Sequence, residues 1–230
     1  MHRTRENCVL RSRLELHEVI GEAIGRGFPL CDDTYKNWDT LLAVDAVTRR
    51  VPETGRVLDA GAEVYSMLLP WLSMCGYRNL LGINRAFDAP FEKGGIRYEP
   101  GDLTRTTFPR ASFDAVVCQS VIEHGICLDA YFREMARIIK PRGILITSTD
   151  YFPKATDTRG QRAFGTVIHI FSRAEMRGVV AMSASHGFTL TSPIDLDAEE
   201  RVVTWEEYGL SYTFVLLTFE RKPAGEESSV

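Results

Sequence analysis

Small and polar residues stand at the ends of several short apolar runs in this 230-residue chain. The first such turn is Asp59-Ala60-Gly61, and later runs are followed by Asn84 and by Gly101-Asp102-Leu103. A glycine directly after a strand lets the backbone approach a ligand closely, and a polar side chain in the next turn can form hydrogen bonds with ribose hydroxyls. Each turn alone is a weak signal, but together they predict a ligand at the ends of neighbouring strands.

The apolar run at residues 113–118 is the strongest predicted strand, and Gln119-Ser120 and Glu123-His124 follow it. An unperturbed imidazole has a pKa of about 6.5, so His124 is a candidate general base. The competing interpretation is that Glu123 and His124 only begin the next helix. Both interpretations remain open at the level of sequence.

Two further candidates for catalysis lie beyond the next predicted strand. Tyr151 can contact a substrate or place its ring against a cation, although packing on the core is the alternative. His169 lies in an alternating stretch with Val167 and Phe171, where a buried and hydrogen-bonded imidazole competes with a catalytic one. Glu123, His124 and Asp150 could converge, but no pair among them has the i,i+4 spacing of a helical zinc site, so no metal is predicted.

Alternating strands and helices must position these residues. From residue 56 onward, short apolar strands alternate with helices such as 64–75 and 128–139, which predicts a parallel sheet with helices on both faces. Ligands bind such sheets at the carboxyl ends of the strands. The expected organisation is one domain over 1–220, with N-terminal helices over 1–52 as a candidate substrate lid, the sheet core over 53–220, and a disordered tail over 221–230.

The charge balance excludes a general affinity for polyanions. Net charge is −4, from 27 basic and 31 acidic residues, which gives no overall attraction to nucleic acid or to an anionic membrane. The most apolar stretch, residues 67–77, is too short to span a membrane and contains Pro70. The five cysteines include no CxxC pair, so a reduced, cytoplasmic setting is expected.

In order and spacing, the motifs over residues 56–150 resemble those of class I S-adenosylmethionine-dependent methyltransferases. The most specific part is the strand that begins Phe113-Asp114, then Ser120-Val121-Ile122-Glu123-His124, and then Lys140-Pro141-Arg142-Gly143. The resemblance implies a Rossmann-like, doubly wound α/β sheet that is mostly parallel with an antiparallel last strand. It also implies S-adenosylmethionine as the cofactor.

The same resemblance implies a set of cofactor-binding residues, each close to the end of a strand. By position they are Asp59 and Gly61 at the methionine and ribose part, Asn84 at the ribose, Asp102 and Leu103 at the adenine, and Gln119 and Ser120 beneath the sulfonium.

The chain departs from the family's pattern at two points. Glu63 and Tyr65 stand where the family usually has further glycines, and Asn84 stands where it usually has an acidic residue. Asparagine forms hydrogen bonds but lacks the charge-assisted strength of a carboxylate, so Glu63 is a second candidate for the ribose. On this basis Asn84→Asp is expected to keep or improve cofactor binding.

The leading function is an O- or N-methyltransferase for a small polar metabolite, with a sugar or nucleotide-sugar derivative as one candidate. Lys154, Arg159 and Arg162 suit an anionic group on that metabolite, with ordinary surface charge as the alternative. A non-catalytic binding protein on the same fold is a competing hypothesis. A nucleotide-dependent oxidoreductase is disfavoured because Gly61 stands where such folds have a full GxGxxG. The acceptor atom and the oligomeric state stay open.

Overall fold

The computed structural model describes residues 5–223, in which strands and helices alternate through most of the chain. The helices are α1 (Arg13–Gly25), α2 (Lys36–Arg50), α3 (Leu68–Met74), α4 (Leu128–Ile138) and α5 (Arg173–Ser185), with a 3-10 turn at Glu206–Tyr208. The strands are β1 (Cys8–Val9), β2 (Arg56–Ala60), β3 (Asn79–Asn84), β4 (Phe91–Lys93), β5 (Ile96–Pro100), β6 (Phe113–Gln119), β7 (Ile139–Tyr151), β8 (Arg162–Ala163), β9 (Thr166–Val167), β10 (Phe188–Leu190), β11 (Val203–Trp205) and β12 (Leu210–Arg221). Strand β12 includes the first residue of the predicted tail, whereas residues 224–230 lie outside the described range.

The main sheet has the strand order β1-β12-β7-β6-β2-β3-β5-β4. Strands β5, β3, β2, β6 and β7 are parallel neighbours, whereas β12 runs antiparallel to β7. This arrangement confirms the mostly parallel sheet with an antiparallel last strand. Because parallel strands all point the same way, their carboxyl ends meet at one edge, where α/β sheets bind ligands.

Helices cover both faces of the sheet, as the apolar sequences of its central strands require. On one face, α1, α2 and α3 bury an apolar cluster that includes Trp38 and Trp71. On the opposite face, α4 and α5 pack through Phe132, Met135 and Met176. Helices α2, α3, α4 and α5 contact strands directly, whereas α1 packs mainly against α2.

Helix α2 is part of the core and does not form a separate outer layer. Most of its residues are buried, and they include Trp38, Leu41 and Val44. A buried charged residue, Asp39, lies among them. The assignment of the N-terminal helices to a substrate lid stays a prediction, and any opening there would have to leave the apolar side of α2 packed.

Helix α3 is shorter than the predicted helix 64–75, and Pro70 explains where it begins. Pro70 is the third residue of α3, where a backbone N–H has no helical partner. A helix that began at Val64 would need that N–H for a bond to the Ser66 carbonyl. Residues 62–67 instead form a turn, in which the Ser66 N–H donates to the Glu63 carbonyl at 3.0 Å.

The crossover between β3 and β5 contains no helix. Strand β4 pairs antiparallel with β5 in its place, and Gly94 and Gly95 turn the chain with positive φ angles. The short crossover leaves the end of β3, at Asn84, uncovered by a helix.

Candidate functional site

The candidate site is the sheet edge at the carboxyl ends of four neighbouring strands. Their register brings these ends level, because Asp59 of β2 lies beside Val117 of β6 and Asn84 of β3 lies beside Pro100 of β5. The structure therefore gathers at this edge the residues predicted to bind the cofactor: Asp59, Gly61, Glu63, Asn84, Asp102, Leu103, Gln119 and Ser120. Their contacts with a cofactor stay predictions.

The turn after β2 requires glycine at position 61. Gly61 has a φ of +105°, a backbone conformation that residues with a side chain rarely adopt. The N–H groups of Gly61 and Ala62 both donate to the Ile83 carbonyl at 2.9 Å. A Cβ atom at Gly61 would overlap the Cγ2 atom of Val121. The turn is thus held close to β3 on one side and to the segment after β6 on the other.

Asp59 is the last carboxylate before this turn, and its side chain is buried. Burial, together with the negative charges of Glu63 and Asp39, raises the pKa of Asp59 to about 7, although a hydrogen bond from Ser66 opposes this shift. A carboxyl group that is protonated near neutral pH can donate a hydrogen bond as well as accept one. Asp59 therefore offers a ligand more than a fixed negative charge.

Asn84 and Glu63 form a hydrogen-bonded pair at the predicted ribose position. Asn84 Nδ2 donates to Glu63 Oε1 at 3.0 Å and to the Ala62 carbonyl at 2.9 Å. Asn84 Oδ1 accepts from the Ala86 N–H at 2.9 Å. Both N–H groups and the oxygen of the Asn84 amide are therefore engaged within the protein. One of the N–H groups orients Glu63, and this places the Glu63 carboxylate at this part of the edge.

This geometry reverses the expectation for Asn84→Asp. An aspartate would lose both donated hydrogen bonds and would set a carboxylate against that of Glu63. We expect the substitution to lower the free energy of unfolding by about 1–3 kcal/mol, because two partly buried acceptors lose their donor. Affinity for S-adenosylhomocysteine, measured by titration calorimetry, should fall as Glu63 loses its orientation.

Asn79→Asp is the matched control, because Asn79 lies at the opposite end of the same strand. Its Nδ2 atom donates one exposed hydrogen bond to the Thr54 carbonyl, at 2.9 Å. We expect this variant to bind the cofactor as the parent protein does. Tighter binding by Asn84→Asp than by Asn79→Asp would contradict the assignment of Glu63 to the ribose.

Asp102 and Leu103 follow β5 and contribute one charged and one apolar group. Asp102 Oδ1 accepts from the N–H and the hydroxyl of Thr104 at 2.8 and 2.7 Å. Burial opposes ionisation of Asp102, but these hydrogen bonds outweigh it and lower the pKa of the carboxyl group. Leu103 is buried. The end of β5 thus offers a charged rim beside an apolar surface.

The chain leaves β6 through Ser120, which has a φ of +51°. A residue with a side chain is strained in this region, and such strain is concentrated at functional sites. The Ser120 N–H donates to the Ser148 carbonyl at 3.0 Å, and its hydroxyl accepts a hydrogen bond from Lys36 Nζ. The neighbouring Gln119 Nε2 is buried without a protein partner. Unused polar capacity therefore remains at the predicted sulfonium position.

Lys36 introduces a cluster of buried charges that the sequence analysis missed. Its Nζ atom lies 3.7 Å from Asp39 Oδ2 and 4.0 Å from the centroid of the Phe214 ring. Two more carboxylates, Glu123 and Asp150, lie near enough to influence its charge. We call Asp39, Glu123 and Asp150 the acidic cluster, since all three are buried at the site.

Hydroxyl groups on β7 hold two members of the acidic cluster in place. Ser148 Oγ donates to Asp39 Oδ2 at 2.6 Å, and Thr149 Oγ1 donates to Glu123 Oε2 at 2.8 Å. Asp39 Oδ1 is buried without a hydrogen-bond partner. The cluster is therefore ordered by the sheet, yet one of its carboxylate oxygens has no donor.

Lys36, Asp39 and Asp150 shift one another's pKa values. Burial and the charge of Glu123 raise the pKa of Asp150 well above its ordinary value, and burial raises the pKa of Asp39 as well. Burial would lower the pKa of Lys36, but the carboxylates of Asp39, Asp150 and Glu123 outweigh it and raise that pKa. Lys36 therefore stays an ammonium ion, whereas Asp39 and Asp150 hold protons more tightly than exposed carboxylates do.

One feature of the sequence could have indicated this cluster. Asp39 lies between Trp38 and Leu41 on the buried side of α2, and a buried charge in an apolar helix face needs a partner or a function. Its partner on the sheet, Ser148, could not have been identified from the pattern, because the two residues lie 109 positions apart in the chain.

His124 lies at the rim of the site, beneath an exposed aromatic side chain. Its ring meets Phe164 edge to face at 5.2 Å between centroids, and Phe164 in turn stacks on Trp205 at 6.3 Å. Phe164 is 77% exposed, whereas His124 Nδ1 is buried without a partner. An imidazole with one unpartnered nitrogen is compatible with proton transfer, and the catalytic role of His124 stays a prediction.

The other two catalytic candidates have local partners. Tyr151 is fully buried, and its hydroxyl donates to the Leu196 carbonyl at 2.7 Å. His169 is half exposed, with Nε2 at 3.3 Å from Glu175 Oε1 and its ring edge-on to Phe171. These contacts account for both residues structurally, and nothing in them brings either one to His124. Their roles at an acceptor stay sequence-based predictions.

In residues 5–223, no group of three or more His, Cys, Asp or Glu side chains has an arrangement that could hold a metal ion. Within the same range, no helix is both long and apolar enough to cross a bilayer.

Comparison with known families identifies a methyltransferase domain. Residues 78–147 match the family model described as a methyltransferase domain. This segment runs from β3 to β7 and contains the ends of β3, β5 and β6 at the candidate site. No curated protein matches the chain.

Solved structures with the same fold include S-adenosylmethionine-dependent methyltransferases and a cyclase. A methyltransferase from Mesorhizobium loti aligns with a TM-score of 0.50 at 20% identity, over 77% of this chain and 96% of its own. The 1,6-didemethyltoxoflavin-N1-methyltransferase of Burkholderia thailandensis, solved with S-adenosylhomocysteine, aligns with a TM-score of 0.55 at 14% identity, over 93% of this chain and 92% of its own. The [4+2]-cyclase SpnF aligns with a TM-score of 0.58 at 16% identity, over 91% of this chain and 94% of its own. These similarities confirm the Rossmann-like fold, and with the family match they agree with the class I resemblance and its cofactor, S-adenosylmethionine.

Proposed function

We propose that this chain, which carries a methyltransferase domain of the class I type, transfers a methyl group from S-adenosylmethionine to a small polar metabolite. The observation that carries the proposal is the sheet edge itself. Gly61, the Asn84–Glu63 pair and Ser120 lie at the carboxyl ends of adjacent parallel strands. These are the positions at which the class I resemblance expects the cofactor.

Each group at the edge has a chemical task in this proposal. The Gly61 turn lets the cofactor approach the backbone, Glu63 accepts hydrogen bonds from the ribose hydroxyls, and Asp102 lies at the adenine end. Gln119 and Ser120 lie beneath the sulfonium, the group from which the methyl is transferred. The residues that bind the acceptor then hold its attacking atom in line with the methyl carbon.

The rim around His124 supports a polar acceptor with a flat or ring-shaped part. Phe164 presents an exposed aromatic face next to polar groups, which suits a ligand with one apolar face. Lys154, Arg159 and Arg162 are exposed in the neighbouring segment and suit an anionic group. A sugar or nucleotide-sugar derivative combines these features, and we propose it as the acceptor class.

Methyl transfer to a hydroxyl or an ammonium group also requires a proton acceptor, and His124 is one candidate. We expect His124→Ala to lower kcat by about 10²–10⁴-fold if the imidazole takes that proton. Affinity for S-adenosylhomocysteine should change little. His17→Ala, at an exposed position of α1, is the control. Near-normal turnover of His124→Ala at saturating substrate would contradict this role for His124, and the acidic cluster would then be the candidate proton acceptor.

The proposed function is tested by two measurements on the full chain. Titration calorimetry with S-adenosylhomocysteine should show binding, and a methyl-labelled S-adenosylmethionine assay should show transfer into small-molecule extracts. Binding without transfer into any extract would favour a non-catalytic binding protein. Binding of NAD and not of S-adenosylhomocysteine would favour an oxidoreductase and contradict the proposal.

The cyclase among the structural relatives is the reason to measure cofactor binding and methyl transfer separately. A [4+2]-cyclase has the same fold, so the fold does not determine the reaction. The chain also lacks the additional glycines that the family usually has after Gly61. Calorimetry measures binding of the cofactor, and the labelled assay measures methyl transfer. A methyltransferase should show both, whereas a non-catalytic binding protein should show binding alone.

A further inference from the structure

The first residue of α2 inserts an ammonium group into the candidate site, where several groups surround it. The Lys36 ammonium lies over the Phe214 ring, donates to the Ser120 hydroxyl and pairs with Asp39. We call the Phe214 ring, the Ser120 hydroxyl and the acidic cluster the cation cage. Aromatic faces and carboxylates are the groups that bind ammonium ions in proteins.

The cation cage has more capacity for a cation than Lys36 uses. Of the three buried carboxylates in the acidic cluster, Asp39 pairs with the Lys36 ammonium, and Asp39 Oδ1 has no hydrogen-bond partner although Asp39 is 0% exposed. An unpartnered carboxylate oxygen in a buried position is unfavourable, because the group has lost its water and gained no donor. The unpartnered oxygen therefore points to a donor that a ligand supplies.

The cage can be reached from solvent along the Lys36 side chain. That side chain is 26% exposed, and Ser120 and Gln119 beside it are partly exposed. A lysine side chain has four rotatable bonds, so its ammonium group can leave the cage without movement of the buried part of α2. An ammonium group carried by a ligand could then take its place.

We propose that the cation cage binds the amino group of the methyl acceptor in place of the Lys36 ammonium, so that methylation occurs at the nitrogen of a primary amine. The proposal rests on the proposed function and deepens it by naming the substrate class. Ser120 belongs both to the cage and to the predicted sulfonium position, so an amine in the cage lies next to the methyl donor. A sugar or nucleotide-sugar derivative with an amino group satisfies the exposed basic residues as well.

The chemistry balances with the groups present. The bound ammonium ion gives one proton to a carboxylate of the acidic cluster, and the freed lone pair forms a bond to the methyl carbon. The bond between sulfur and that carbon breaks, and its electron pair stays on sulfur, which becomes a neutral thioether. The product is a secondary ammonium ion, and the carboxylate passes its proton to water.

Chemical rescue tests whether the cage selects ammonium ions. In Lys36→Ala, propylammonium chloride replaces the missing part of the lysine side chain, and we expect it to raise Tm by about 2–4 °C. Equal concentrations of propanol or potassium chloride should not do so. Lys140→Ala is the matched control, because Lys140 pairs with Asp114 outside the cage, at 2.8 Å. Equal responses of the two variants to propylammonium would overturn the proposal.

A second experiment uses the unmodified protein and does not depend on any variant folding. An extract that accepts labelled methyl groups is treated with acetic anhydride in water, which caps amines and spares alcohols. The proposal expects incorporation to be lost after this treatment. Incorporation that survives would show that the acceptor is not a primary amine and would overturn the amine proposal alone, whereas failure to bind S-adenosylhomocysteine would contradict the proposed function itself.

Discussion

Replacing Gly61 with alanine is expected to weaken binding of S-adenosylhomocysteine at least tenfold. The added Cβ would overlap Val121 Cγ2, and the backbone would stay at a φ of +105°. Strain of this kind and overpacking cost about 1–3 kcal/mol each. Relief would have to come from the turn after β2 or from the segment that carries Ser120, and both lie at the predicted cofactor site. Calorimetry and thermal unfolding measure the two consequences.

Gly94→Ala separates the backbone strain from the contact with Val121. Gly94 also has a positive φ, +60°, but an added Cβ there would meet nothing within 4 Å. This variant should lose some stability and keep its affinity for the cofactor. If Gly61→Ala binds S-adenosylhomocysteine as tightly as Gly94→Ala does, the Gly61 turn does not contact the cofactor.

Replacing Asp59 with asparagine is expected to remove a large pH dependence of stability between about pH 4 and pH 7. The folded-state pKa of about 7 lies above the ordinary value of 3.8. Between these values the folded protein holds a proton that the unfolded chain has released, so the free energy of unfolding falls as pH rises. At about 1.4 kcal/mol per pH unit, the loss by pH 7 is on the order of 4 kcal/mol. Above pH 7 this contribution should be constant.

The comparison requires unfolding curves of both proteins at several pH values, because other carboxyl groups titrate in the same range. The pKa values of Glu6 and Glu134 are lowered, since arginine and hydroxyl partners outweigh their burial, and these groups contribute the opposite slope. The difference between parent and variant isolates Asp59. Asp88→Asn, at an exposed position, is the control. A constant difference across pH 4–7 would show that Asp59 is already ionised in the folded protein.

The strand-end residues could be identified from the sequence because each signal is local. A β strand that ends in a small or polar turn occupies fewer than ten consecutive residues, as in Asp59-Ala60-Gly61, and the alternation with helices predicts a parallel sheet. The predicted helix begins at residue 64, whereas α3 begins at Leu68. Pro70 already indicates the later start. The rule that a proline belongs in the first helical turn was sufficient to place it.

Asn84 illustrates a partial success of the sequence analysis. Its position at the end of β3 was predicted, and the prediction for its replacement by aspartate was not supported by its contacts. The asparagine amide donates to Glu63, a residue from another turn, and this pairing exists only when β2 and β3 are adjacent. A residue type at a known position therefore did not determine what the side chain does there.

The sequence by itself determined the α/β class, the order of the strand-end motifs and the resemblance to class I methyltransferases, because these depend on patterns within short segments. Only the tertiary structure decided which charges meet at the site. Lys36 and Asp39 come from the start of α2, Glu123 from the segment after β6, and Asp150 from β7. Burial together changes the pKa values of Lys36, Asp39 and Asp150, and burial depends on the packing of α2 against the sheet, which no local pattern in the chain contains.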